Sequence, residues 1–257
     1  MKIPEQIFER LENMTGKVSL YYRNLVTGER MSYQEDIAMI AASVIKLGLL
    51  GEMFRRFEAG EADPEEEVIV RWEDKAPSCG ALTYMHDGLR VTLRDLCVLM
   101  IILSDNTATN MLFDRTGAAA INRFMWERGL TGMDFNRKMF DDEATARGIK
   151  NHITAAGVGK MLEMMYRGEL VSPKADAEMI GILKNQRLNH KIPFYLKGTT
   201  VAHKTGEDDG ISHDVGIIYG REPFVLVMLS NETDVPAFER LIQDTARTLN
   251  TDRSFMR

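Results

Sequence analysis

The chain has 257 residues, 44% of them hydrophobic and 27% charged, and a formal net charge of −6. That is a globular composition; it excludes a fibre or a disordered chain and argues against a nucleic-acid partner, which calls for a basic patch. No apolar run reaches the roughly 18 residues of a membrane span, the N-terminus lacks the apolar core of a secretion signal, and two cysteines, Cys79 and Cys97, cannot frame a disulfide scaffold, so a cytoplasmic protein is expected.

In chain order, the N-terminus places Ile3, Ile7 and Leu11 on one side of an amphipathic helix. Residues Lys17–Leu25 mix β-branched and aromatic side chains and read as a strand, turning at Thr27-Gly28-Glu29 into a second short strand. Ser43–Arg56 reads as a helix with Leu47, Leu50 and Phe54 on one face. A loop punctuated by Pro and Gly, roughly Gly60–Gly88, follows; its acidic stretch Glu61–Glu67 reads as solvated. Thr92–Leu103 is apolar nearly all round and reads as a buried helix. Two more helices, Thr107–Thr116 and Ala118–Arg128, are stopped by Gly117 and Gly129.

Thr131–Asn151 has no clean period and reads as a long functional loop. Helices resume at Thr154–Arg167 and Lys174–Asn185. The last third then changes character. Val201–His203, Val215–Tyr219 and Phe224–Ser230 read as antiparallel strands. Asp234-Val-Pro236 opens a closing helix with Phe238, Leu241, Thr245 and Leu249 inward. The predicted class is α+β: one domain whose two ends (about 1–40 and 190–257) form an antiparallel sheet flanked by terminal helices, with an all-helical lobe (about 41–189) inserted. The cleft between such lobes is the natural place for a site.

Three short motifs occur in order. Ser43-Val-Ile-Lys46 opens the first long helix, Ser104-Asp-Asn106 sits between two helices, and Lys204-Thr-Gly206 ends a strand. Each alone is commonplace; together, each at an element boundary, they form the signature of penicillin-recognising serine enzymes. On these motifs the chain resembles the class A β-lactamase family over nearly its whole length. The resemblance implies a β-lactamase-like fold and an acyl-enzyme on Ser43. A serine hydroxyl is a poor nucleophile until something takes its proton, and a partly desolvated lysine one turn away, Lys46, can do so. Ser104 would pass the proton to the leaving nitrogen. Asn106 would bind a substrate amide and touch Lys46. Lys204 and Thr205 would receive a substrate carboxylate, and Gly206 would let substrate lie against the strand. The Ser43 N–H would be one oxyanion donor, and the resemblance makes the N–H of Glu207 the second.

The pattern departs from the family in two places. Cys97 falls where many members carry half of a disulfide, but the partner position is Leu50, so both cysteines are expected to be free. Class A enzymes also carry a loop glutamate, in a Glu-x-x-Leu-Asn run, that activates the deacylating water. Aligning Arg137 with the family's loop arginine puts Met139 at that place, and methionine is no base. Asp141, Asp142 and Glu143 follow directly and are the candidate bases.

His213 is a candidate for the cleft or a plain strand-start residue; His86, His152 and His190 lack metal-ligand spacing, and no metal or cofactor is expected. Arg221 and Arg240 fall in no readable motif. Three functions remain open: β-lactam hydrolysis, a peptidase or esterase acting on D-amino-acid peptides or esters, and a penicillin-binding protein that acylates and stalls. Each would act as a monomer on a small molecule, with neither nucleic acid nor membrane as partner.

Overall fold

The computed structural model describes residues 3–251; the side chain of Ile3 lies outside what is described. Helix α1 (Ile3–Glu12) leads into β1 (Lys17–Asn24), β2 (Arg30–Tyr33) and the short β3 (Met39–Ile40). A 3-10 turn, Ala42–Ile45, runs into α2 (Lys46–Glu58). Then come β4 (Glu67–Val70), β5 (Leu89–Thr92), α3 (Leu93–Ile102), α4 (Asn106–Thr116), α5 (Ala118–Glu127), α6 (Asp142–Ala146), β6 (His152–Ile153), α7 (Ala155–Arg167) and α8 (Pro173–Lys184). The chain closes with β7 (Thr200–Asp208), β8 (Ile211–Tyr219), β9 (Phe224–Asn231) and α9 (Val235–Thr251).

The main sheet is antiparallel in the order β2-β1-β9-β8-β7. β1 pairs with β9 from Lys17↔Asn231 to Asn24↔Phe224, so the two ends of the chain meet in mid-sheet, as the sequence implies. β9 is an unbroken apolar run because both of its faces are covered. Val225, Val227 and Leu229 pack with the helices; Phe224, Leu226 and Met228 pack with Ile7 and Leu11 of α1 and Phe238, Leu241, Ile242 and Leu249 of α9. Each such buried side chain contributes about 1.5–3 kcal/mol. The α+β class holds.

Several boundaries move. α2 is buried on every side from Lys46 to Phe54, not on one face, because α3, α4, α5 and α8 surround it. Its Gly51 lets α5 cross closely: a Cβ there would lie 2.5 Å from the Phe124 ring. The 60–88 loop contains β4, which pairs with β5, and its alternation was too short to read. Residues 131–151 contain α6, and the flanking residues 152–153 pair with β3. β7 extends through the third motif to Asp208. Among the described residues no helix is long and apolar enough to cross a membrane.

Candidate active site

Ser43 does not sit on α2 itself but in the 3-10 turn before it, and the Lys46 N–H donates to the Ser43 carbonyl. A 3-10 turn has three residues per turn, so residues i and i+3 eclipse. The serine and lysine side chains therefore leave the turn on the same side. The turn is entered through Ala42 at φ +41°, a left-handed conformation that L-residues adopt at a cost of order 1–2 kcal/mol. Ser104, between α3 and α4, has φ +55°. Strain of this kind concentrates at functional sites.

Lys46 is fully buried, and its Nζ donates to the Ser104 carbonyl at 2.7 Å and to Asn106 Oδ1 at 2.8 Å, and lies 3.2 Å from Ser104 Oγ. Lys204, equally buried, donates to the same Ser104 Oγ at 3.0 Å and to the Thr205 carbonyl at 2.8 Å. Burial first, and Lys204 second, hold the Lys46 ammonium well below the ordinary lysine range. Burial also pushes Lys204 down, to about 7. A neutral Lys46 fits its surroundings: two N–H groups serve the two oxygens that can only accept, and the lone pair accepts a hydrogen bond from the Ser104 hydroxyl. Ser104 is then free to accept from Lys204, and one hydroxyl joins the two lysines.

The rest of the second motif is a clamp. Asp105 caps α4 through the Ala108 N–H, and its other oxygen accepts from Ala81 and Leu82. Asn106 donates from Nδ2 to the Pro77 carbonyl and from its backbone N–H to the Cys79 carbonyl. These bonds draw Ser78 and Cys79 to the edge of a cavity of ≈ 480 Å³. Its walls include Ser43, Asn106, Arg137, Met139, Asp142 and Glu207. Lys46, Ser104, Lys204 and Thr205 are buried and do not line it.

Gly206 has a packing reason of its own to be glycine. A Cβ there would meet Val44 and His213 at 3.1 Å and Ala42 at 3.3 Å, so the glycine lets β7 press against the Ser43 turn. His213 does not line the cavity either. It is buried, its Nδ1 accepts from the Ser230 N–H, and its Nε2 therefore carries the proton and donates to the Ile40 carbonyl. Burial pushes it down to about 4, so it stays neutral.

The three loop carboxylates separate. Asp141 caps α6 through the Ala144 N–H. Glu143 is 85% exposed and pairs with Arg147. Asp142 alone of the three lines the cavity with Ser43. Met139 also lines it, and Asn110 grips its backbone at both ends, accepting from the Met139 N–H at 2.8 Å and donating to its carbonyl at 2.9 Å. Asn151 accepts from the Asn136 and Arg137 N–H groups, and its own carbonyl takes the Ala41 N–H, tying the loop to the Ser43 turn. Neither asparagine stood out in the sequence beyond the extended Ser-Asp-Asn context, because a side chain that grips backbone 15–30 residues away leaves no local pattern.

Cys97 is buried, its thiol pushed up to about 12, and both cysteines are free. Arg240 lines a separate surface depression, and neither it nor Arg221 is on the cavity wall. Spacing missed one cluster: the ligand atoms of His190, Glu207 and Glu239 lie within 4.8 Å of one another. The fully buried Lys191 shares both carboxylates, at 2.9 Å from Glu207 and 3.8 Å from Glu239, so the group is an ion-pair network in which a lysine already fills the cation's role.

Comparison with known proteins fits this architecture. The chain is 24% identical over 88% of its length to a beta-lactamase of Rhodobacter capsulatus, of which it covers 79%. A beta-lactamase from Sphaerobacter thermophilus superposes with a TM-score of 0.88 at 29% identity, covering 96% of this chain and 95% of that one. PBP-A superposes with a TM-score of 0.87 at 28% identity, covering 96% and 94%, and a point mutant of it is known as an acyl-enzyme complex with penicillin G. The family model described as the beta-lactamase enzyme family matches residues 2–252, and the chain belongs to that family of hydrolases.

Proposed function

We propose that this protein forms an acyl-enzyme on Ser43 with β-lactam amides and releases it slowly. One observation carries the reading: a half-buried serine on a cavity wall, one 3-10 turn from a buried lysine that has no carboxylate partner among the described residues. Ser43 Oγ attacks the lactam carbonyl while its proton passes to Lys46, whose lone pair turns from the Ser104 hydroxyl to Ser43. Ser104 gives its own proton to the leaving nitrogen and is reprotonated from Lys46. One ester C–O bond forms, one amide C–N bond breaks, and the proton ends on nitrogen. The Lys204 cation, buried behind the cavity wall, draws the substrate carboxylate toward it by charge. The likeness to PBP-A, a mutant of which holds penicillin G as an acyl-enzyme, supports the acylation half.

Slow release follows from the loop. Met139 stands where an ordered base would serve, and Asp142, the one loop carboxylate on the wall, is exposed and has no partner among the described residues to aim it. Mixing the protein with a chromogenic β-lactam while following colour and intact mass tests the reading. The expected result is a burst of about one equivalent and a lasting adduct that is absent in Ser43→Ala. Fast steady turnover overturns slow release. The Met139 substitution favours a second reading, hydrolysis of D-amino-acid esters or peptides; turnover of those with no β-lactam adduct would favour it over the first.

A further inference from the structure

We infer that Lys191 is a positioning residue for acyl transfer: from behind β7 it holds and polarises the Gly206–Glu207 peptide whose N–H is the second oxyanion donor. The inference rests on the reading of Ser43 as the acylated residue and of Glu207 N–H as a donor. Lys191 is wholly buried. Its Nζ lies 3.1 Å from the His213 carbonyl on β8, 3.5 Å from the Gly206 carbonyl on β7, and 2.9 Å from Glu207 Oε1. Gly206 and His213 are register partners, so one side chain bridges the two strands at the end of the Lys204-Thr-Gly206 motif.

The Gly206 C=O and the Glu207 N–H belong to one peptide group. No peptide in the described chain is cis, so the two bonds point opposite ways. A lysine on the carbonyl side therefore leaves the N–H facing the other side of β7. A cation near a carbonyl also draws electron density through the amide and makes its N–H a stronger donor, as in any chain of polarised hydrogen bonds. At 3.5 Å this is a long hydrogen bond but a close charge–dipole contact.

The same lysine fixes residue 207 from its side chain. The Glu207 carboxylate also meets His190 at 3.2 Å, and the His190 and Lys191 contacts pull it down to about 2, so it stays ionised through the working pH range. Glu239, held by the Ser212 hydroxyl at 3.0 Å, completes the surroundings. This anchoring falls where β7 needs it. β7 is an edge strand, Glu207 and Asp208 are its exposed end, and a turn through Gly210 follows. Unanchored edge ends fray, and an oxyanion donor must be in place before charge develops.

Two measurements on the full-length protein test this. The first is the single-turnover acylation rate with a chromogenic β-lactam for Lys191→Met, Lys191→Gln and Lys191→Arg, beside the affinity for intact β-lactam in a Ser43→Ala background. Removing a whole oxyanion donor costs about 10²–10³ in rate, and a weakened one should cost about 10–100-fold. The expected result is that loss in Met and Gln with affinity unchanged, and recovery in Arg. Wild-type acylation in the Met or Gln variant, or affinity falling in step with rate, overturns the proposal. The second is the ¹H–¹⁵N resonance of the Glu207 amide in the free protein, which needs no substrate. It should move upfield in Met or Gln and return in Arg; an unmoved resonance overturns the proposal, even if the unsubstituted protein takes no β-lactam and the parent reading fails. Should Lys191→Met not fold, Lys191→Gln gives both readouts.

Discussion

Three lysines in the described chain are fully buried, and they divide into two kinds. Lys191 lies against Glu207 and Glu239 behind β7. Lys46 and Lys204, on the cavity side, meet only hydroxyl, amide and carbonyl oxygens. Equal burial thus serves opposite ends. A lysine beside carboxylates has counter-charge and can brace a structure. A lysine among neutral oxygens is driven toward its amine form and becomes able to take a proton. The difference lies in the partners, and it can be broken from either side.

The largest effect should come from removing the proton acceptor. Lys46→Met is expected to slow acylation of Ser43 by about 10³-fold, within the 10²–10⁴ range of general-base catalysis, with no loss of thermal stability. Intact mass against time and a melting curve check both halves. A variant that acylates normally would move the base away from Lys46. Next in size is a repair of the loop. Asn110 already fixes the backbone of residue 139, so a carboxylate placed there has a set origin. Met139→Glu should shorten the life of the Ser43 adduct by about 10²-fold, the low end of that same range, because nothing in the loop is arranged to aim the new side chain. Asp142→Asn should lengthen that life only if Asp142 is the present base, and adduct mass over hours measures both.

These effects also mark how far the sequence could be read. Periodicity found the long helices, the mid-sheet strands and the closing helix, because burial on a regular element repeats along the chain. The three motifs named Ser43, Lys46, Ser104 and Lys204, and the fold brings the last three to one hydroxyl. Two things were out of reach. The 3-10 turn under Ser43 depends on Ala42 at positive φ, which no local rule predicts for alanine. Lys191 lies past the end of α8 in a stretch with no period, and its partners come from β7, β8 and α9. Only the folded chain shows that it stands behind the third motif.

The cavity-side pair also sets a pH signature. Lys204 is protonated below about 7. As pH rises through that value, the cation that would receive a substrate carboxylate is lost. kcat/KM for a carboxylate-bearing substrate should therefore fall, approaching about tenfold per pH unit, while a neutral ester of similar size should show no such limb. Equal profiles for the two would separate Lys204 from carboxylate binding.

The smallest effect is in stability, and it has opposite signs on the two sides of β7. The unfolded chain holds a lysine proton up to about 10.4, whereas Lys204 in the folded protein loses it near 7. Between these values the unfolded state binds more protons, so stability rises with pH, by roughly 1.4 kcal/mol per unit for one group. Below 7 both states are protonated and the folded state carries the full desolvation penalty. Lys204→Met removes that penalty, so it should raise the melting temperature at about pH 6 by a few degrees and by less at about pH 9. Lys191→Met instead leaves Glu207 without its lysine. Glu207 is about half exposed and water screens much of the loss, so the melting temperature should fall by only a few degrees. Melting curves of the two variants at both pH values decide the matter. If both move the same way, the counter-charge behind β7 is not what distinguishes the three lysines.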